Sequence, residues 1–106
     1  MDTPLTPKLL CVAPQKKLSW QYHNRRSELW ILIQGQALIS VSKTDKQPLP
    51  RPMTKEEVIK IETRYRHRLI GDSERGIVAE IWEHTDPHDI SDENDIVRIE
   101  DDRKRN

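Results

Sequence analysis

The feature that most constrains the fold is the clustering of the apolar residues. They stand in short dense runs, Leu9–Ala13, Leu29–Ile33 and Ile77–Trp82, each of strand length. Apolar residues make up 34% of the chain and charged residues another 34%. Scattered along the sequence, that mix would favour disorder; gathered into runs, it predicts a folded middle between polar ends. Gly35, Gly71 and Gly76 each border such a run, where turns belong.

The strand pattern can be followed along the chain. Leu9–Ala13 is the first expected strand. Leu18–His23 alternates, with Leu18, Trp20 and Tyr22 on one face and Ser19, Gln21 and His23 on the other. Glu28–Gln34 is next, and Ala37–Val41 is expected to pair back on it after a Gly35-Gln36 turn. Residues 42–52 are polar, with prolines at 48, 50 and 52, and read as a loop. Thr54 and Glu57 have helix-cap spacing, but the β-branched, alternating Val58–Ile61 that follows favours a strand over a helix. Arg66–Ile70 and Gly76–Glu83 complete the regular pattern, and Ile96–Ile99 fits a last short strand. Many short strands at close intervals indicate an all-β antiparallel sandwich or barrel.

Length and charge narrow the function classes. The 106 residues suit a single domain, with a polar lead over residues 1–8 and a charged, frayed tail over residues 100–106. Lysine plus arginine equals aspartate plus glutamate, 18 against 18. Zero net charge argues against a nucleic-acid binder and leaves self-association unopposed. The single cysteine, Cys11, lies in an apolar run and is expected to be a buried, inert thiol. No segment approaches a membrane span or resembles a signal peptide, so a soluble cytoplasmic protein is expected. The acidic stretch Asp86–Asp95 lacks a calcium-loop pattern and reads as a solvated tail.

One constellation carries chemistry. Gln21 and His23 are two apart on a strand and point to one face. Glu28 opens the next run after the polar turn 24–27, and a hairpin would fold it back beside His23. His67 needs only a strand neighbouring these. Two imidazoles, a carboxylate and an amide oxygen make a mixed nitrogen and oxygen site suited to zinc, iron, manganese, cobalt or nickel.

The words around these residues resemble a known family. Leu18-Ser19-Trp20-Gln21-Tyr22-His23-Asn24-Arg25-Arg26-Ser27-Glu28-Leu29-Trp30, followed by Gly35, resembles the first motif of the cupin superfamily. More narrowly, it is similar to the isomerase half of type II mannose-6-phosphate isomerases, with their Q-x-H-x-H-R-x-E-x-W pattern. His67-Arg68-Leu69 resembles that family's second motif, and Asp95-Ile96-Val97-Arg98-Ile99-Glu100-Asp101 its terminal word. The likeness spans residues 9–103.

The resemblance implies a cupin double-stranded β-helix, a jelly-roll barrel with a metal near its mouth, and aldose–ketose isomerisation of a sugar phosphate. It implies Gln21, His23, Glu28 and His67 as metal ligands, with zinc the usual metal and manganese, iron or nickel as alternatives. Glu80 and then His84 are the candidate catalytic bases. Arg25 and Arg26, in the turn at the mouth, are the candidate phosphate-binding residues. Arg66 and Arg68 flank His67 and should point away from it. A homodimer paired through exposed sheet edges is expected. A non-catalytic cupin that binds a sugar or sugar phosphate is the alternative, and a cupin dioxygenase is disfavoured by Gln21.

The sequence also departs from the pattern. Arg25 stands where the family often has histidine. Glu62-Thr63-Arg64 replaces the P-x-G that usually opens the second motif, so a different turn is expected there. No glycine-rich nucleotide loop is present, so guanylyl transfer is not expected of this chain.

Overall fold

The computed structural model describes residues 5–101, and over that span it consists of strands and their connections. The strands are β1 (Leu5–Val12), β2 (Trp20–Tyr22), β3 (Arg26–Gln34), β4 (Ala37–Ser42), β5 (Arg51–Pro52), β6 (Val58–Ile61), β7 (Arg66–Gly71), β8 (Gly76–His84) and β9 (Val97–Glu100). They form two antiparallel sheets, ordered β1-β8-β3-β6 and β5-β4-β7-β2-β9. This is the all-β jelly roll that the sequence predicts. No helix long and apolar enough to cross a membrane occurs among the described residues.

Strand alternation selects what faces inward. On β3 the buried positions are Arg26, Glu28, Trp30 and Leu32; on β8 they are Gly76, Val78, Glu80, Trp82 and His84. The two sheets share one apolar core. Val12, Trp30, Leu32, Ile59, Ile61 and Val78 enter it from the first sheet and Ala37, Ile39 and Leu69 from the second, with Met53 from the connection before β6. Along β3 and β7 the inward residues change from polar to apolar, and along antiparallel β8 from apolar to polar, so core and polar site occupy opposite ends of the same barrel.

Several expectations are corrected. Ala37–Ser42 does not pair back on β3; it pairs with β5 and β7 in the other sheet. The chain crosses between sheets at Gly35, whose φ is +74° and where a Cβ would lie 1.8 Å from the Arg75 carbonyl oxygen. That close approach suits a crossing, not a simple hairpin. Glu28 is likewise not folded beside His23 by a hairpin, because β2 and β3 belong to different sheets. Residues 5–8, read as a polar lead, belong to β1, and Arg51–Pro52 forms a short strand inside the expected loop. Thr54 opens no helix; the Glu57 amide closes a turn onto the Thr54 carbonyl. Cys11 is exposed, because Leu10 and Val12 take the inward positions of β1 and leave Leu9 and Cys11 facing out. The frayed tail falls chiefly on residues 102–106, outside the described residues.

The turn before β7 is built around Arg64. Arg64 adopts φ +68°, the left-handed conformation that a glycine would supply. Its amide donates to the His23 carbonyl at 2.8 Å, and the Tyr65 amide donates to the Glu62 carbonyl at 3.0 Å. These bonds hold the arginine in a conformation that costs a non-glycine residue about 1 kcal/mol. Arg64→Gly is therefore expected to raise the unfolding free energy by about 1 kcal/mol, measured by urea denaturation, with no loss of structure.

Candidate metal centre

The polar end of the barrel is assembled from both sheets. Gln21 on β2 lies in register opposite His67 on β7, so the two share a face of the second sheet. His23 follows one residue beyond β2. From the first sheet, β3 contributes Arg26 and Glu28, and β8 contributes Glu80, Trp82 and His84; Trp30 faces Glu80, Glu28 faces Trp82 and Arg26 faces His84 across the pair. Arg66 and Arg68 point away from His67, as alternation requires. Arg66 lies over the Tyr22 ring, and Arg68 donates to Leu18, Gln47 and Glu100.

His23, Glu28 and His67 converge, with one ligand atom from each lying within 4.8 Å of the others. Glu28 Oε2 is 3.4 Å from His23 Nε2, and Glu28 Oε1 is 3.4 Å from His67 Nε2. All three residues are 3% exposed or less. Each imidazole is oriented by a backbone carbonyl on its far side: His23 Nδ1 bonds the Asp95 oxygen at 2.7 Å, and His67 Nδ1 bonds the Tyr65 oxygen at 3.0 Å. With the ring proton on Nδ1, both Nε2 atoms turn a lone pair toward Glu28.

This arrangement fits a metal. His67 Nε2 is buried and has no hydrogen-bond partner, which is costly for a polar atom unless a cation meets it. A lone pair facing a carboxylate oxygen is repulsive until a positive charge lies between them. Zinc binds nitrogen and carboxylate ligands at about 2.0–2.2 Å, which places two ligands of one ion roughly 3–4 Å apart. The carbonyl bonds on Nδ1 are the outer contacts that metal-binding histidines usually make. Gln21 lies in register opposite His67, and its Oε1 accepts a bond from the Ser19 hydroxyl at 2.7 Å.

The remaining candidates fall into two groups. Glu80 points inward beside Glu28 and accepts bonds from the indole nitrogens of Trp30 at 2.9 Å and Trp82 at 2.8 Å. Burial, reinforced by the Glu28 charge, pushes its pKa up to about 7. Burial would raise Glu28 as well, but His67, His23 and Arg26 outweigh it and hold that carboxyl well below the usual range. Burial lowers His23 to about 4, with His67 and Arg26 acting in the same direction against Glu28.

Arg25, Arg26 and His84 are instead engaged by the segment 85–96. Arg25 pairs with Asp89 at 3.0 Å and reaches Asp92. Arg26 is buried and bonds Glu28, His23, Ser91 and the Asp92 carbonyl. His84 Nδ1 accepts the Ser91 amide at 3.0 Å. The stretch read as a solvated tail is thus a strap across the barrel mouth. Its anchor is buried Asp95, which accepts the amides of Asn24 and Arg25 and the Ser91 hydroxyl. These bonds outweigh the effect of burial and lower the Asp95 pKa. Asp95 and Ser91 carried no metal-ligand spacing; their signal was only the terminal word that Asp95 opens, and its role as a cap on two amides is not visible in one dimension. Neither of two clefts, about 520 Å³ beside residues 11–18 and about 400 Å³ beside residues 39–60, includes a residue of this centre.

Comparison with known proteins agrees with this architecture. The mannose-6-phosphate isomerase C-terminal family matches residues 3–101. Among solved structures, recombinant oxalate oxidase in complex with glycolate aligns with a TM-score of 0.71 at 15% identity, covering 90% of this chain and 46% of its own. The plu4264 protein from Photorhabdus luminescens aligns at 30% identity with a TM-score of 0.61, covering 77% of this chain and 64% of its own. A cupin 2 conserved barrel domain protein from Salinispora arenicola CNS-205 aligns at 20% identity with a TM-score of 0.62, over 77% and 65%. The chain spans about half the length of oxalate oxidase. No curated protein sequence matches it.

The raised Glu80 pKa makes stability depend on pH. A carboxyl that titrates near 4.5 when unfolded and about 7 when folded contributes stability that is fully present below 4.5 and is lost as pH rises through 7. His23 has the opposite sense: its contribution is present above 6.5 and lost as pH falls through about 4. In metal-free protein, Glu80→Gln removes the first effect alone. Between pH 5 and pH 8 its melting temperature is expected to gain on that of the parent, with a stability difference moving by up to about 3 kcal/mol, as followed by circular dichroism.

Proposed function

The chain belongs to the mannose-6-phosphate isomerase C-terminal family of cupins, and on that footing we propose that it is a metal-dependent sugar-phosphate isomerase. The observation that carries this reading is the placement of Glu80, a buried carboxyl held by two indole nitrogens beside a His-Glu-His donor set, where burial pushes its pKa up to about 7. A general base at neutral pH works best with a pKa near the operating pH.

In this reading His23, Glu28 and His67, with Gln21, would hold a divalent metal, zinc by the family's habit. Bound there, the metal supplies Lewis-acid polarisation of a sugar carbonyl and its neighbouring hydroxyl. Glu80 takes the proton from C2 of the open-chain aldose and returns it to C1, while the hydroxyl proton passes from O2 to O1. Each Glu80 oxygen keeps a lone pair beyond the indole bond it accepts, so the base is held in orientation without being blocked. Trp30 and Trp82 therefore act as positioning residues. Arg25 becomes available to a substrate phosphate when the strap lifts from it.

The buried centre and the engaged arginines favour a second reading, a cupin that binds a sugar phosphate without turning it over. Loading the protein with zinc or manganese and assaying mannose 6-phosphate separates the two. Turnover that falls about 10²–10⁴-fold in Glu80→Gln, with metal content unchanged, supports the isomerase. Thermal stabilisation by the sugar phosphate without turnover supports the binder. Neither effect with any sugar phosphate removes both.

We also propose a homodimer through the outer face of the first sheet and its β1 edge. Leu9, Leu29, Ile31, Ile33, Ile77 and Ile81 form an outward apolar surface there, with Leu9 63% and Ile33 48% exposed. A contiguous apolar patch with a polar rim is the usual make-up of an interface between two copies. Light scattering is expected to give a dimer for the parent and a folded monomer for Ile31→Lys; a monomeric parent would exclude the pairing.

A further inference from the structure

Arg26 occupies the donor set in a way that the proposed metal does not leave unchanged. Its Nε donates to Glu28 Oε2 at 2.7 Å and its Nη2 to His23 Nε2 at 3.2 Å. The His23 ring already uses Nδ1 on the Asp95 carbonyl, so Nε2 has a single lone pair to give. That lone pair serves either the guanidinium or a metal ion, never both. Its counterpart, His67 Nε2, is the buried atom without a partner. The donor set is therefore half satisfied by an internal cation and half open.

The other end of the same guanidinium holds the strap. Nη1 donates to the Ser91 hydroxyl at 2.8 Å and to the Asp92 carbonyl at 3.0 Å, while the group stacks on the Trp82 ring 3.5 Å from its centroid. A guanidinium is planar and rigid, so its nitrogens move together. It cannot leave His23 while keeping every bond to Ser91 and Asp92.

We propose that Arg26 and a divalent cation are alternative occupants of the His23 Nε2 lone pair, and that exchanging one for the other unlatches residues 86–94 of the strap while the Asp95 carbonyl stays on His23. The proposal rests on the metal reading above and adds a coupling to it: metal uptake and opening of the barrel mouth are one event. In the metal-free protein Arg26 neutralises Glu28 and keeps the mouth shut. Once the metal neutralises Glu28, the arginine and the strap are both released, and the centre becomes reachable by substrate.

The test uses zinc ion as the probe and two readouts besides activity. Zinc affinity is measured by competition with a chromogenic chelator for the parent, Arg26→Gln and His67→Ala, the last correcting for zinc held elsewhere. Hydrogen–deuterium exchange of residues 86–95 is followed with and without zinc. Arg26→Gln is expected to bind zinc at least 10-fold more tightly than the parent. Zinc is expected to speed exchange in residues 86–95 of the parent, whereas Arg26→Gln exchanges fast there from the start.

Equal or weaker affinity in Arg26→Gln, or a parent strap whose exchange zinc leaves unchanged or slows, overturns the coupling while the metal reading stands. Absence of zinc binding in both proteins overturns the metal reading together with it. Should Arg26→Gln fail to fold, the parent's exchange response alone decides, and Arg26→Lys, which cannot reach both ends at once, is expected to change affinity and exchange in the same directions as Arg26→Gln.

Discussion

Glu28 is an anion placed almost wholly out of water, 1% exposed, and the polar end of this barrel is organised by the need to neutralise it. An unpaired carboxylate in such a place would take up a proton instead. Here Arg26 donates to Oε2 and the Trp30 indole donates to Oε1 at 3.0 Å, while His23 and His67 turn Nε2 toward the same two oxygens from the facing sheet and leave the place of a cation between them. Each of these groups is in turn held from behind, by the Asp95 and Tyr65 carbonyls and by Ser91 and Asp92. The charge on one residue thus fixes ring orientations on two strands, the path of the strap, and the tautomer that makes the histidines able ligands.

Trp30 marks where this electrostatic order gives way to ordinary packing. Its ring belongs to the apolar core and meets His67 edge-on at 5.4 Å, while its indole nitrogen is shared between Glu28 and Glu80. A residue with a large apolar body and one donor suits such a boundary. The shared donor also keeps two carboxyls close. Because Glu28 is strongly neutralised by its neighbours and Glu80 is not, the two separate into one group that stays ionised and one whose proton affinity rises. That division of roles arises from environment alone, since the residues are chemically alike.

Much of this was legible in the sequence, and the reason is the period of a strand. Alternation alone placed Gln21 and His23 on one face, sent Arg66 and Arg68 away from His67, and gave the existence of most strands. It could not say which strands share a sheet. Hence Ala37–Ser42 was paired with the wrong neighbour and Glu28 was brought to His23 by a hairpin that is not there; the structure reaches the same proximity by facing two sheets. Nor does period reveal which acidic side chains are consumed internally. Asp86, Asp89 and Asp92 are exposed, as composition suggests, but Asp95 turns inward to meet two backbone amides, and nothing in its neighbours' identities distinguishes it. The turn at Arg64 shows another limit of period. Nothing in the local sequence marks Arg64 for a left-handed conformation, which two hydrogen bonds to and within the turn hold in place.

The strap explains why a site with the donors for chemistry lies so far from solvent. Arg25, standing where the family often has histidine, pairs with Asp89 and Asp92; Lys8 from β1 reaches Glu93; and Arg26 bonds Ser91 and Asp92. The Arg25 and Lys8 contacts are partly exposed ion pairs, each of which contributes little on its own and weakens with salt. The contacts at Ser91 and Asp95 are buried and hydrogen-bonded and fix the segment's second half near the metal ligands, while the Thr85 amide on the Arg25 carbonyl holds its start. A cover rooted at Thr85 and Asp95, with exposed ion pairs and the Arg26 bonds between, is suited to lift without unfolding the barrel. The arginine substitution that removes one potential ligand from the first motif therefore has a structural use at the mouth: it supplies the charge that draws an acidic segment over a buried anion.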